Sequence, residues 1–307
     1  MEEIEVSTPA AVVSPKRILL LGASGMLGSD VLRAIENSIH SVYAPTHKEI
    51  DVARPDDLEH IRRFDEGKFD WIINCIAYTG VDQAESEMMA ANRLNGVAPG
   101  LIAYVAKSMG ARFIHISSDF VFDGGARSPY REDAPTKPVN AYGRTKLFGE
   151  QNAIKENPDT IIVRTSWLYG PNGKSFPRTM IEAWLAGKEL KVVDDQIGTP
   201  TYAADLAQVL MGLIDADAAA GVYHAAGPDI MTWHEFALRA ITAYRDLILK
   251  SNQAIDVAPV PSSAWPTPAK RPAYSALGCT KLEGLALAPL PSTDISLAAF
   301  VSRLKLG

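Results

Sequence analysis

The chain has 307 residues, of which 47% are hydrophobic and 21% charged, and a formal net charge of −6. That length supports a large core with a second lobe, and the negative balance argues against bulk binding to nucleic acid or to an anionic membrane surface. Two cysteines, Cys75 and Cys279, form neither a disulfide framework nor a zinc pattern, and the six histidines show no metal-ligand spacing, so no metal is expected.

The opening Met1-Glu2-Glu3-Ile4-Glu5 is acidic and lacks a basic region followed by a long apolar one. It predicts no signal peptide, no run predicts a membrane span, and a cytoplasmic protein is expected. Residues 1–15 read as a flexible extension. Arg17–Leu21 is a short apolar run stopped by glycine, hence a buried strand, and a helix is expected from Gly25 to about Asn37. Ser41–Ala44 reads as a second strand, Asp56–Phe64 as a helix, Phe69–Ala77 as a third strand and Glu85–Met109 as one long helix. Arg112–Ser117 is a fourth strand, a helix carries Tyr142, and Thr160–Arg164 is a fifth strand. Further on come shorter elements, the loop Asp194–Thr201, a strand in Gly221–Gly227 and a proline-rich stretch from Pro259 to Pro272. Cys75 lies in an apolar run and is expected to be a buried structural thiol; His115 and His224, in apolar strands, are expected to be packed.

Strands alternating with helices predict an α/β fold, a Rossmann-type doubly wound parallel sheet covered on both faces. The expected division is a nucleotide-binding domain over 16–170, rejoined by about 200–227, and a smaller interleaved C-terminal lobe from 171–199 and 228–307. Gly22, Gly25 and Gly28 follow the first strand with the spacing Gly-x-x-Gly-x-x-Gly. Such a turn lets the backbone approach a dinucleotide pyrophosphate, and the helix N-terminus offers free N–H groups to it, which marks Gly22, Ser24, Gly25, Met26, Leu27 and Gly28 as cofactor-binding candidates. No acid ends the second strand, where Tyr43-Ala44-Pro45-Thr46-His47-Lys48 stands. Lys48 and His47 are candidates for a 2′-phosphate, favouring NADPH over NADH, with solvated side chains the equal alternative, and Asp51-Val52 is placed to flank the adenine.

Ser118 follows the fourth strand, and Tyr142 and Lys146 come next, four residues apart. On a helix, positions i and i+4 share a face, so Lys146 is expected to favour the Tyr142 phenolate and hold the cofactor ribose. A tyrosine so placed is a general-acid candidate for a carbonyl oxygen that Ser118 orients, giving Ser118, Tyr142 and Lys146 as the catalytic set. Asp119 and Asp123 read as turn-formers. Arg178 and Arg271 are candidates for a diphosphate, because guanidinium pairs bidentately with phosphate oxygens; solvated arginines or structural ion pairs are the equal alternative.

Together these motifs resemble the extended short-chain dehydrogenase/reductases, and within them the dTDP-4-dehydrorhamnose reductase family. The resemblance runs from about Lys16 to near the end, through Asn74–Glu85, Ser117–Gly124, Tyr142–Leu147, Arg164–Tyr169, Asp194–Thr201, Thr232-Trp233-His234 and Trp265–Pro272. It implies an oxidoreductase that reduces the C4 ketone of a dTDP-linked 4-keto-6-deoxy sugar, and it allows a homodimer. It further implies cofactor contacts at Ile76, Ala77 and Thr79, and substrate contacts at Val81, Ser118, Phe120 and Trp167. Phe120 stands where the family often has tyrosine, so one hydroxyl is missing here, and Ser175 precedes Phe176 where asparagine is common. A 4,6-dehydratase would need a glutamate after Asp119, where Phe120 stands. An epimerase keeps the same tyrosine and lysine but consumes no net NADPH. A non-catalytic NADP-binding subunit, resembling the methionine adenosyltransferase beta subunit, is the reading of a different class.

Overall fold

The computed structural model describes residues 13–61, 68–285 and 287–306. Residues 1–12 of the expected extension and the end of the helix expected over Asp56–Phe64 lie outside them. The chain begins with β1 (Arg17–Leu21), α1 (Met26–Glu36), β2 (Ser41–Tyr43), α2 (Pro55–Ile61) and β3 (Trp71–Asn74). Two short helices, α3 (Gln83–Ser86) and α4 (Met88–Asn92), lead into α5 (Ala98–Ser108) and β4 (Arg112–Ser118). Next come α6 (Ala141–Glu156), β5 (Thr160–Thr165), β6 (Leu168–Tyr169), α7 (Phe176–Leu185) and β7 (Leu190–Val193). The later chain holds β8 (Ile197–Gly198), β9 (Thr201–Tyr202), α8 (Ala203–Asp215), β10 (Gly221–His224) and β11 (Met231–Thr232). It ends with α9 (Trp233–Tyr244), β12 (Val257–Val260), α10 (Thr280–Glu283) and α11 (Thr293–Arg303).

Six strands form one parallel sheet in the order β2-β1-β3-β4-β5-β10. The unbroken apolar run of β1 follows from burial on both faces. Ile18 and Leu20 face one layer with Val31 and Ile35 of α1 and Leu206, Leu210 and Leu213 of α8. Leu19 and Leu21, one residue out of phase, face the other with Ile102, Val105 and Ala106 of α5. The chain leaves β1 for β2 on one side and returns to β3 on the other, so the strand order reverses beside β1. A crevice at the carboxyl ends of the strands is the usual ligand site of such a sheet.

A second core packs Tyr169, Ile181, Trp184, Phe236, Ile241 and Phe300, from α7, α9, α11 and the strands between them. The segment that would be one long helix over Glu85–Met109 is instead broken. Glu87 leaves helical geometry at φ −108°, ψ 37°, and Arg93–Val97 forms a wide π-helical turn before α5. Within that turn Asn95 is fully buried. Its Oδ1 accepts from Tyr78 N at 2.9 Å, and its Nδ2 donates to Tyr78 O at 3.0 Å and Thr145 Oγ1 at 3.2 Å. Such insertions recur at functional sites; this one clamps the Ile76–Thr79 strip against α6.

Candidate active site

The glycine turn closes the amino-terminal side of a cleft of about 860 Å³. Gly22 sits at φ +85°, and a β-carbon there would meet Ile76 Cγ1 at 2.9 Å; one on Gly28 would fall 2.0 Å from Gly22 O. Only glycines let strand, turn and helix approach this closely. Helix α1 starts at Met26 with Gly25 as its cap and no side-chain oxygen on its first N–H groups, leaving those donors for an anion. This cradle fits a dinucleotide pyrophosphate.

At the far side of β4, Ser118 caps the short 3₁₀ turn Asp119–Val121, its Oγ accepting from Phe120 N at 3.2 Å. That hydroxyl also donates to Asp119 Oδ1 at 2.8 Å. Helix α6 brings up Tyr142 and Lys146. Its first turn is anchored twice: Gly143 N donates to Asn140 Oδ1 at 2.8 Å, and Ala141 N donates to Glu85 Oε1 at 2.7 Å. Asn140 Nδ2 donates onward to Lys270 O at 2.8 Å, tying the helix start to the C-terminal segment. The Phe120 ring meets Tyr142 edge-on, with centroids 5.5 Å apart.

Of the candidate residues, the cleft brings together Gly22, Ser24, Gly25, Met26, Leu27, Ile76, Ala77, Thr79, Val81, Ser118, Phe120, Tyr142, Lys146, Trp167 and Arg271. Gly28 lies behind it, in helix–sheet packing. Val52 lines a separate surface depression with Arg54, Met89 and Arg93. Asp51 accepts from Ala53 N at 3.0 Å and lies outside the cleft lining; His47 and Lys48 are exposed. Arg178 is not a cleft residue: its guanidinium donates to Glu182 Oε1 at 2.8 Å and to Lys305 O at 2.9 Å. Arg271 lines the cleft while donating to Asp82 Oδ2 at 2.8 Å and to Ala269 O at 3.1 Å. The packed roles expected for His115 and His224 match their full burial. Asp123 is a turn-former, accepting from Gly125 N and the Tyr130 hydroxyl.

Trp167 has φ +44°, a left-handed backbone that is costly for a tryptophan. Its indole lies flat on Trp233 at 3.6 Å between centroids, over Gly198, where a β-carbon would come 2.4 Å from the ring. Both tryptophans line the cleft.

The electrostatics depart from the expectation that Lys146 draws the Tyr142 phenol down. Burial and the nearby Asp119 charge push Tyr142 up to about 12, against a lowering by the Ser118 hydroxyl. The Lys146 amine donates to Ile116 O at 2.6 Å. Burial lowers it to about 8, opposed first by the Glu150 carboxylate and then by Cys75. Burial pushes the Cys75 thiol up to about 12. Beneath Lys146, Glu150 takes a bidentate pair from Arg164, 2.9 Å from Nε and 2.7 Å from a terminal nitrogen, and a 2.5 Å bond from Ser117 Oγ.

Sequence reasoning missed Asn95, Asp119, Trp233 and the cleft-lining strip Asn172-Gly173-Lys174, anchored where Asn172 Nδ2 donates to Ser29 Oγ at 2.6 Å. Asp119 carried a signal, adjacency to the strand-end serine; the others became visible only through long-range packing.

A doubly wound parallel sheet with a glycine turn after its first strand, and serine, tyrosine and lysine grouped at the carboxyl edge of its fourth, defines an oxidoreductase of the extended short-chain dehydrogenase/reductase class. A family model described as the RmlD substrate binding domain matches residues 16–306. A probable dTDP-4,6-dihydroxy-2-methyloxan-3-one 4-ketoreductase of Streptomyces antibioticus is 40% identical over 275 residues, 89% of this chain and 90% of that one. A dTDP-4-dehydrorhamnose reductase of Burkholderia thailandensis is 38% identical over 270 residues, 85% of this chain and 90% of its own. The crystal structure of dTDP-4-dehydrorhamnose reductase from Bacillus anthracis in complex with NADP superimposes with a TM-score of 0.86 at 32% identity, covering 94% of this chain and 99% of that one. The chain belongs to the dTDP-4-dehydrorhamnose reductase family.

Proposed function

We propose that this protein reduces the C4 ketone of dTDP-4-dehydro-L-rhamnose to dTDP-L-rhamnose with NADPH. The observation that carries the proposal is the grouping of Ser118, Tyr142 and Lys146 on one wall of a cleft that also takes in the glycine turn and the Trp167–Trp233 pair. The NADP bound by the Bacillus anthracis relative supports the cofactor, and the Burkholderia thailandensis relative supports the substrate.

Bound at the glycine turn, NADPH supplies a hydride to C4. The protein supplies the rest. Ser118 fixes the carbonyl oxygen, and Tyr142 gives its phenolic proton to that oxygen as it becomes an alkoxide. Lys146, as an ammonium, holds the cofactor ribose and stabilises the phenolate left behind. Trp167, braced on Trp233, forms an apolar wall for the sugar. Positioning and charge stabilisation carry most of the acceleration.

The test incubates purified protein with NADPH and dTDP-4-dehydro-L-rhamnose and follows nicotinamide absorbance, with NMR of the product. Loss of NADPH matching dTDP-L-rhamnose formed is the expected result, and Tyr142→Phe should lower turnover by about 10²–10⁴-fold. Stoichiometric consumption also separates a reductase from an epimerase. A second reading follows from the Streptomyces antibioticus relative, a 4-ketoreductase named for a different dTDP-linked ketone. That ketone is run in parallel, and a clear preference for it moves the substrate while keeping the chemistry. A folded protein that binds NADPH and reduces neither sugar refutes the proposal.

A further inference from the structure

Asp119 stands beside the reacting centre with no part in the chemistry above. It is 2% exposed, and among the described residues its Oδ2 has no hydrogen-bond partner. Three cations line the same cleft, Lys146, Lys174 and Arg271; Lys146 donates to Ile116 O and Arg271 to Asp82 and Ala269, and among the described residues no cation is bonded to Asp119. From each element packed against it, Asp119 meets the Ser118 hydroxyl of β4, the Tyr142 phenol of α6 and the Ser275 hydroxyl of the segment before α10.

The hydrogen-bond count on Ser118 decides what Asp119 must be. A serine hydroxyl has one proton and two lone pairs. An ionised Asp119 can only accept, so it holds the single Ser118 proton in the 2.8 Å bond. Ser118 then offers a lone pair to any carbonyl oxygen, and two lone pairs repel. A protonated Asp119 reverses the bond. Its O–H donates to Ser118 Oγ, Phe120 N donates to the other lone pair at 3.2 Å, and the Ser118 proton is released toward the cleft. Both lone pairs of Ser118 are then filled, and its proton is free for the carbonyl oxygen on the side where it also meets the Tyr142 phenol.

We propose that Asp119 works as a neutral carboxylic acid, a positioning residue that donates to Ser118 and so aims the Ser118 proton at the substrate carbonyl oxygen. The role presupposes the ketone reduction proposed above. Asp119 keeps its proton throughout; the proton that reaches the alkoxide leaves Tyr142. A neutral Asp119 also removes the charge that pushes the Tyr142 phenol upward, making it a better donor. Burial already raises Asp119 to about 6, against the hydroxyls of Ser275 and Ser118 and two backbone N–H groups that pull the other way. An anionic sugar diphosphate entering the cleft acts in the same direction as burial.

The protonated form is the competent one, so kcat/KM is full below pH about 6 and falls as pH rises through that value. The experiment measures kcat and KM against pH for wild type, Asp119→Ala and Asp119→Asn, with infrared spectra of the wild-type protein carrying labelled aspartate. Asp119→Ala, which removes the donor, should lower kcat by about 10–10³-fold with a smaller effect on KM. Asp119→Asn, whose amide still donates, should recover much of that loss. Its alkaline limb should move to near pH 8, where Lys146 loses its proton. The wild-type infrared spectrum should show a protonated aspartate that titrates near pH 6. Ketone reduction with an aspartate ionised throughout the active range, or an Asn variant as poor as Ala, overturns the proposal and leaves the reductase assignment standing. A titrating carboxyl in a protein that reduces neither sugar overturns the reductase assignment, and with it the target of the Ser118 proton.

Discussion

Replacing Glu150 by glutamine tests whether the layer beneath Lys146 holds the site. Glu150 and Arg164 have side chains only 3% and 6% exposed. Both carboxylate oxygens accept from the guanidinium, and one also accepts from Ser117 Oγ. Glutamine keeps the shape but turns an NH₂ group toward a guanidinium donor and leaves Arg164 without its counter-charge. Removing one partner of a buried pair costs about 3–5 kcal/mol, because the surviving charge stays desolvated. Replacing both partners with apolar groups of similar volume is about neutral or stabilising. Glu150→Gln should therefore lose about 3–5 kcal/mol in urea unfolding at constant m-value, and Glu150→Leu with Arg164→Met should regain most of it. A second readout follows from Lys146, since Glu150 is the largest influence holding its amine up against burial. Without that carboxylate Lys146 should titrate below 8. Its ammonium is then lost earlier as pH rises, and in the Asp119→Asn background, where Lys146 sets the alkaline limb of kcat, that limb moves to lower pH. A single variant within about 1 kcal/mol of wild type, with an unmoved limb, would refute both the buried-pair accounting and the link to Lys146.

Two further substitutions separate shape from charge in the cleft. Gly198→Ala puts a methyl group 2.4 Å from the Trp167 ring; it should cost about 1–3 kcal/mol and raise the sugar KM several-fold while leaving NADPH affinity unchanged. An unaltered sugar KM would remove Trp167 from the substrate wall. Arg178→Ala should leave the sugar KM within about twofold and lower stability by about 1 kcal/mol, since its guanidinium serves Glu182 and Lys305 O; a large rise in KM would return Arg178 to the diphosphate.

The sheet was legible because its central strands are buried on both faces, and β1, β3, β4 and β5 therefore read as largely apolar runs with abrupt ends. The glycine turn was legible for a steric reason: the close approaches at Gly22 and Gly28 exclude any β-carbon. The Glu85–Met109 stretch was not, because its apolar spacing continues through breaks made elsewhere. From within the wide turn Asn95 reaches across to Tyr78 and Thr145, seventeen and fifty residues away in sequence. Arg178 and Arg271 looked alike as charges, and only the fold gave one to Glu182 and the other to the cleft.

Lys146 and Asp119 show where the boundary lies. Helical spacing correctly set Tyr142 and Lys146 on one face, but what a charge does there depends on how much water remains and what else competes. Lys146 gives one of its N–H bonds to Ile116 O, and Asp119, a turn-former by its neighbours, lies beside the phenol with no cation bonded to it among the described residues. Proximity along a helix follows from the chain alone. The sign of a perturbation follows from burial and from partners distant in sequence, so the three catalytic candidates could be picked from the order of residues while the residue that sets the direction of their hydrogen bonds could not.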